Sequence, residues 1–112
     1  RFPGLFRIGA VGGAEVFALG ACWPAARAGH WRALAIARAI ENQGVVLAVN
    51  RTGNDPHLAY CGGTIAVDAK GEVLGELGDE PGVLSVEVDV AAVREWRGVF
   101  PALQDVRLRE IR

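Results

Sequence analysis

The most constraining stretch of this sequence is Cys22-Trp23-Pro24-Ala25-Ala26-Arg27-Ala28-Gly29-His30-Trp31, which runs without a break into Arg32 to Gln43. Two tryptophans, a histidine and an arginine crowd a short loop, and a helix, predicted over Gly29 to Gln43, begins inside it. Ala33, Ile36, Ala37 and Ile40 recur at the spacing of one helical face. Trp31, Leu34 and Ala35 cover much of the remainder. A helix that is apolar nearly all round is expected to be buried between layers. Its ionisable exceptions are Arg32, Arg38 and Glu41. Arg38 and Glu41 lie three apart and are expected to pair, because unpaired charge is costly inside a protein.

Before this stretch, Pro3 to Val11 reads as a helix ended by Gly12-Gly13, and Ala14 to Leu19 as a short buried strand. After it, Gly44 is expected to stop the long helix. Val45 to Val49 is a continuous apolar strand, the pattern of a sheet covered on both faces. Asn50 to Tyr60 is polar and turn-rich and reads as a loop. Thr64 to Val67 and Val73 to Leu77 read as strands of a bulged hairpin, joined through Asp68-Ala69-Lys70-Gly71. Gly78 to Gly82 is a turn. In Val83 to Val88, Leu84, Val86 and Val88 alternate with Ser85 and Glu87, which predicts a strand with one core-facing side. Asp89 is placed to cap a helix from Val90 to about Arg97, with Val90, Val93 and Trp96 on its apolar side. Phe100 to Arg112 is amphipathic and weakly patterned, suited to docking on a neighbour. The order of elements is α/β.

Hydrophobic residues make up 51% of the 112, which excludes a disordered chain, and a net charge of −1 gives no electrostatic reason to expect nucleic acid or an anionic membrane. No apolar run is long enough to span a bilayer. Arg1-Phe2-Pro3 is not a signal peptide, and the chain contains no methionine. It is therefore expected to be the downstream piece of a longer protein. Two cysteines, Cys22 and Cys61, read as reduced thiols of a cytoplasmic protein rather than a disulfide framework.

No metal site stands out, because His30, His57, Cys22 and Cys61 lack paired-ligand spacing. Gly9 to Gly13 closes a helix, whereas a phosphate cradle feeds glycines into one. Cys22 and His30 form a conceivable thiol and base, although a lone cysteine near a strand end more often serves packing. Glu41 reads as Arg38's ion-pair partner rather than a general base. Tyr60 to Thr64 is a compact turn that would let backbone approach a pocket, or is a plain strand entry.

Several blocks taken together resemble the nitrilase, or carbon–nitrogen hydrolase, superfamily. They are Arg1-Phe2-Pro3, Trp23-Pro24-Ala25-Ala26-Arg27 with His30-Trp31, Ala37 to Gln43 and Asn50-Arg51-Thr52-Gly53. Tyr60 to Thr64, Val67 to Leu74 and Phe100 to Asp105 continue the series in the same order. The branch it is most similar to is the ω-amidase type, which hydrolyses side-chain amides of 2-oxo acids. The resemblance implies that residues 1–112 are the C-terminal part of one domain, half of a four-layer α-β-β-α sandwich. It implies cysteine-thioester amide hydrolysis by a Glu-Lys-Cys set expected upstream of Arg1, so that neither Cys22 nor Glu41 inherits those roles. It implies a homodimer when intact, no cofactor, and a small amide as substrate. Cys22, Trp23 and Pro24, with Arg27 and His30 nearby, are expected to line one wall of the pocket. The alternative for Arg27 and His30 is that they only fix the loop. The alternative for the whole is a catalytically inactive nitrilase-like binding or assembly module. Cys22 stands where this branch usually has an asparagine, exchanging an amide for a weakly bonding thiol.

Overall fold

The computed structural model describes residues 1–110. The elements are α1 (Gly4–Val11), β1 (Val16–Ala21), α2 (Ala28–Asn42), β2 (Val45–Asn50), β3 (Thr52–Asn54), β4 (Ala59–Cys61), β5 (Ile65–Val67), β6 (Val73–Glu76) and α3 (Val90–Val99), with 3₁₀ turns at Ala25–Arg27 and Ala102–Asp105. The main sheet has the order β1-β2-β5-β6, with β1 and β2 parallel and the other pairs antiparallel. β3 and β4 form a separate antiparallel pair.

Alternate residues of a strand face opposite sides, and β2 displays this directly. Val46 and Ala48 pack against Trp31, Ala35 and Ala39 of α2. Val45 packs on the other side with Ala69 and with Val93 of α3, and Leu47 and Trp96 border the same cluster. The expected burial of β2 on both faces therefore holds at Val45 and Val46 and fails at Val49, which is 56% exposed. β1 was expected to be buried and is an edge strand. Phe17, Leu19 and Ala21 are half-buried, and Val16, Ala18 and Gly20 are exposed.

α2 is likewise not apolar-buried all round. Its buried stripe is Trp31, Ala35, Arg38, Ala39 and Asn42. Ala33 and Ile40 face outward, so the stripe lies to one side of the face expected from the alanine spacing. Trp31 heads that stripe, packed in one cluster with Val46, Ala48, Ile65 and Val67 of the sheet. Arg38 is only 8% exposed, and its guanidinium meets Glu41 at 2.8 Å, as the spacing predicts. It also donates to the Arg1 carbonyl and lies 5.8 Å from the Phe6 ring centre. Arg7 of α1 donates to Asn42 Oδ1 at 3.0 Å and to the Glu41 carbonyl at 2.8 Å, tying α1 onto α2.

Gly44 does not supply the left-handed helix exit. Gln43 does, at φ 44°. Gly44 serves close packing instead, since a Cβ there would sit 2.7 Å from Cε2 of Phe17. The predicted loop at Asn50 to Tyr60 contains the β3–β4 hairpin, because the Asp55 carboxylate organises its tip through local hydrogen bonds. The β5–β6 hairpin forms as expected, with its irregularity between Ala66 and Val67. Asp68 accepts from the Lys70 and Glu72 backbone N–H groups, each at 2.9 Å.

Val83 to Val88 shows the expected alternation of exposure and forms no strand. Leu84 and Val86 lie over Gly75 of β6, so the segment gains burial from side chains crossing the sheet face rather than from ladder hydrogen bonds. α3 begins where Asp89 predicts, with its carboxylate accepting from the Ala92 N–H at 3.0 Å. Of the amphipathic tail, residues 111–112 lie outside the described residues.

Candidate functional site

The site lies where β1 and β2 end side by side. Their last paired residues are Ala21 and Asn50. In α/β sheets, the loops at the carboxyl ends of parallel strands are the ones free to build a pocket. Here the β1 exit carries Cys22, Trp23 and Pro24, the Ala25–Arg27 turn, and then the start of α2.

Trp23 is held from several directions. Its backbone N–H donates to Asn50 Oδ1 at 2.7 Å, and Asn50 Nδ2 donates back to the Trp23 carbonyl at 3.1 Å. Its indole N–H donates to the Arg27 carbonyl at 2.7 Å, closing the turn. Its ring lies 5.8 Å from that of Trp31, tilted by 46°, and the Arg1 guanidinium sits 5.3 Å from it. Trp31 donates its indole N–H to the Gly63 carbonyl at 2.8 Å. Arg1, Phe6, Leu19, Trp23 and Trp31 border a hollow of about 60 Å³.

Opposite this wall, Asn50 Nδ2 also donates to the Gly62 carbonyl at 2.8 Å. Gly62 has φ +64°, and a Cβ there would lie 2.6 Å from the Gly78 carbonyl oxygen. Only glycine fits both the left-handed backbone and that approach. At the tip of the β3–β4 hairpin, Asp55 accepts from the Tyr60 hydroxyl at 2.5 Å and from the His57 and Leu58 N–H groups at 2.8 and 2.7 Å. The Tyr60 bond is the main reason the Asp55 carboxyl is held below its ordinary range, with the two N–H donors and then Arg51 adding to it. The same bond pushes the Tyr60 phenol up, with burial adding, and Cys22 is near enough to contribute a small electrostatic push. Arg51 lies 4.4 Å from the Tyr60 ring centre.

The five residues expected on the wall are thus gathered on one β1-exit segment, in unequal positions. Pro24 is buried, Trp23 is half-buried, and Cys22, Arg27 and His30 are exposed. Among the described residues no hydrogen bond joins Cys22 to His30. Both cysteines are free thiols. No group of three or more His, Cys, Asp and Glu able to hold a metal occurs among the described residues. No helix among them is long and apolar enough to cross a membrane. From the sequence, Asn50 and Arg1 enter only within family-like blocks and not as site residues. A polar amide placed directly after five apolar strand residues was the available signal for Asn50.

A sequence profile of the carbon-nitrogen hydrolase family matches residues 1–98. The chain belongs to the carbon-nitrogen hydrolase family. It is 41% identical over 107 residues to 2-oxoglutaramate amidase of Bacillus subtilis, a match covering 96% of this chain and 41% of the relative. Among solved structures it resembles a CN-hydrolase superfamily protein from Xanthomonas campestris that carries an arsenic adduct in its active site. The TM-score is 0.82 and the identity 36%, over 88% of this chain and 37% of that one. It also resembles an amidase from Nesterenkonia, at TM-score 0.74 and 31% identity over 95% of this chain and 37% of that one. A mutant of that amidase shows covalent addition of the acetamide moiety of fluoroacetamide at its active-site cysteine. The chain spans about two-fifths of the length of the curated relatives it matches first.

Proposed function

We propose that this chain is the C-terminal part of a single carbon-nitrogen hydrolase domain, and that the whole protein is an ω-amidase acting on the side-chain amide of a 2-oxo acid. The observation that carries the reading is its identity to 2-oxoglutaramate amidase along nearly the entire chain. The cysteine adduct described for the Nesterenkonia amidase supports a thioester route. In that route a cysteine thiolate, encoded ahead of Arg1, attacks the amide carbon. A lysine and a backbone N–H hold the oxyanion, the C–N bond breaks, and a glutamate returns the proton to the departing ammonia. Water, deprotonated by the same glutamate, then attacks the thioester and releases acid and thiol. The domain is a four-layer α-β-β-α sandwich that works as a homodimer in the cytoplasm, with free thiols suited to a reducing compartment.

In this reading Cys22, Trp23 and Pro24 form the far wall of the pocket, with Arg27 and His30 at its rim. The tryptophan pair excludes water. The Arg27 side chain makes no hydrogen bond or ion pair among the described residues, which leaves its guanidinium available for a substrate carboxylate. The test is ammonia release by the whole protein. 2-Oxoglutaramate is expected to be turned over with kcat/KM well above that of an uncharged amide such as butyramide. Absence of ammonia from every ω-amide sinks the proposal and favours the inactive binding module. Arg27→Ala is expected to raise KM for 2-oxoglutaramate about tenfold or more, the loss of one charge-assisted contact. An unchanged KM removes Arg27 from the site.

A further inference from the structure

We infer that Asn50 is the positioning residue of the substrate wall: its amide fixes the direction of Trp23 and, through Trp23, the turn that carries Arg27. The inference rests on the ω-amide reading of the site. The β1–β2 ladder reaches its last pair at Ala21 and Asn50, and the Arg51 N–H still reaches the Ala21 carbonyl at 3.2 Å. Past that point the backbones separate, and the Asn50 side chain takes over the pairing. It accepts from the Trp23 N–H at 2.7 Å and donates to the Trp23 carbonyl at 3.1 Å, so one amide satisfies both backbone groups of one residue, as a neighbouring strand would.

The same nitrogen donates to Gly62, and the Asn50 N–H donates to Thr64 Oγ1 at 3.1 Å. Two segments, the β1 exit at Trp23 and the turn at Gly62, therefore meet on the side chain of a residue that is 5% exposed. An amide alone among neutral side chains supplies one acceptor and two donors at this reach. With its donor and acceptor roles all used in a buried place, turning Trp23 away would strand polar groups. Trp23 in turn holds the Arg27 carbonyl with its indole N–H, so a shift at Asn50 travels to Arg27. The Asn50 amide bonds backbone groups only and acts on substrate through these two residues.

The test is Asn50→Asp in the whole protein. The aspartate keeps the acceptor for the Trp23 N–H and turns both donors into oxygen facing two carbonyls. The expected result is a rise in KM for 2-oxoglutaramate of tenfold or more, with kcat changed less than threefold and with butyramide turnover reduced much less. Equal losses on both amides, or an unchanged KM, would overturn the inference, since a merely structural residue has no reason to distinguish a carboxylate-bearing substrate. Should Asn50→Asp fail to fold, Asn50→Ser carries the same comparison without a buried charge. If the parent protein hydrolyses neither amide, the ω-amide reading has failed, and positioning is then judged by NMR. The Trp23 indole N–H resonance is expected to shift and exchange faster with solvent in Asn50→Ser. An unmoved resonance would overturn the positioning role on its own.

Discussion

The two ends of the β1–β2 pair are each tied by one side chain, and the two ties differ in kind. At the carboxyl end the tie is Asn50, neutral and bonded to Trp23 and Gly62. At the other end it is Arg97 of α3. Its guanidinium donates to the carbonyls of Gln43 at 2.9 Å, Ala14 at 2.7 Å and Asn42 at 3.1 Å. Gln43 reinforces that end by donating to the Phe100 carbonyl at 2.7 Å, and Arg94 pairs with Glu15 at 2.9 Å.

A cation suits the second position, because the carboxyl end of α2 presents unpaired carbonyls and the negative end of the helix dipole. Burial pulls the Arg97 guanidinium down from its ordinary value, and Glu15 opposes that pull. A neutral amide suits the first position, where it must serve donors and acceptors alike. One end is built to be closed, and the other leaves Cys22, Arg27 and His30 open to solvent.

This contrast can be broken experimentally. Arg97→Ala leaves three backbone carbonyls without their donor, so the whole protein is expected to lose about 3 kcal/mol of unfolding free energy. Turnover per folded molecule should stay near the parent value. Denaturant titration with activity measured at matched folded fraction checks both, and a loss of turnover larger than the loss of fold would erase the distinction between the ends. Gly62→Ala should cost about 2 kcal/mol, from a strained left-handed backbone and the contact with the Gly78 carbonyl. Unlike Arg97→Ala, it should also depress turnover, because Gly62 is held by the same amide that holds Trp23.

The smallest effect is at the hairpin tip. Asp55 titrates lower in the folded chain than its ordinary 3.8. Its contribution is therefore complete above that pH and is lost as pH falls from there through the folded value. Tyr60 is shifted above 10.0, so its share is present below that pH and lost as pH rises through the folded value. Tyr60→Phe should move the Asp55 titration back up, followed by NMR, and soften the acid sensitivity of the hairpin. An unmoved Asp55 would show that the tip is held by the His57 and Leu58 N–H groups alone.

The local features of the fold were readable residue by residue. Asp89 before an apolar 3.6-residue period announced α3, Arg38 and Glu41 announced their pair, and the Asp68–Gly71 link announced the β5–β6 hairpin. Each depends on atoms close together along the chain. Cys22 to His30, the proposed wall, is one continuous segment, so its residues lie together whatever their role. The errors arose where distant packing chose among locally equivalent options. The buried face of α2 is the one whose Trp31, Ala35 and Ala39 pack on the sheet, and Gly44 lies against the Phe17 ring while Gln43 makes the left-handed helix exit. Val83 to Val88 has strand alternation and no partner strand to bond.

The amino-acid order alone therefore settled the α/β class, the caps and hairpin turns, and the family to which the pattern belongs. The class and the local turns follow from hydrophobic period and from side chains bonding their own neighbours, and the family from the resemblance of motif blocks in their order. Only the tertiary structure decided that Asn50 and Arg97 are the two ties. Asn50 meets Trp23 across 27 residues and Arg97 meets Ala14 across 83. A hydrogen bond between groups so far apart in the chain has no local signature; it exists only once the sheet and helices have brought both partners to one point.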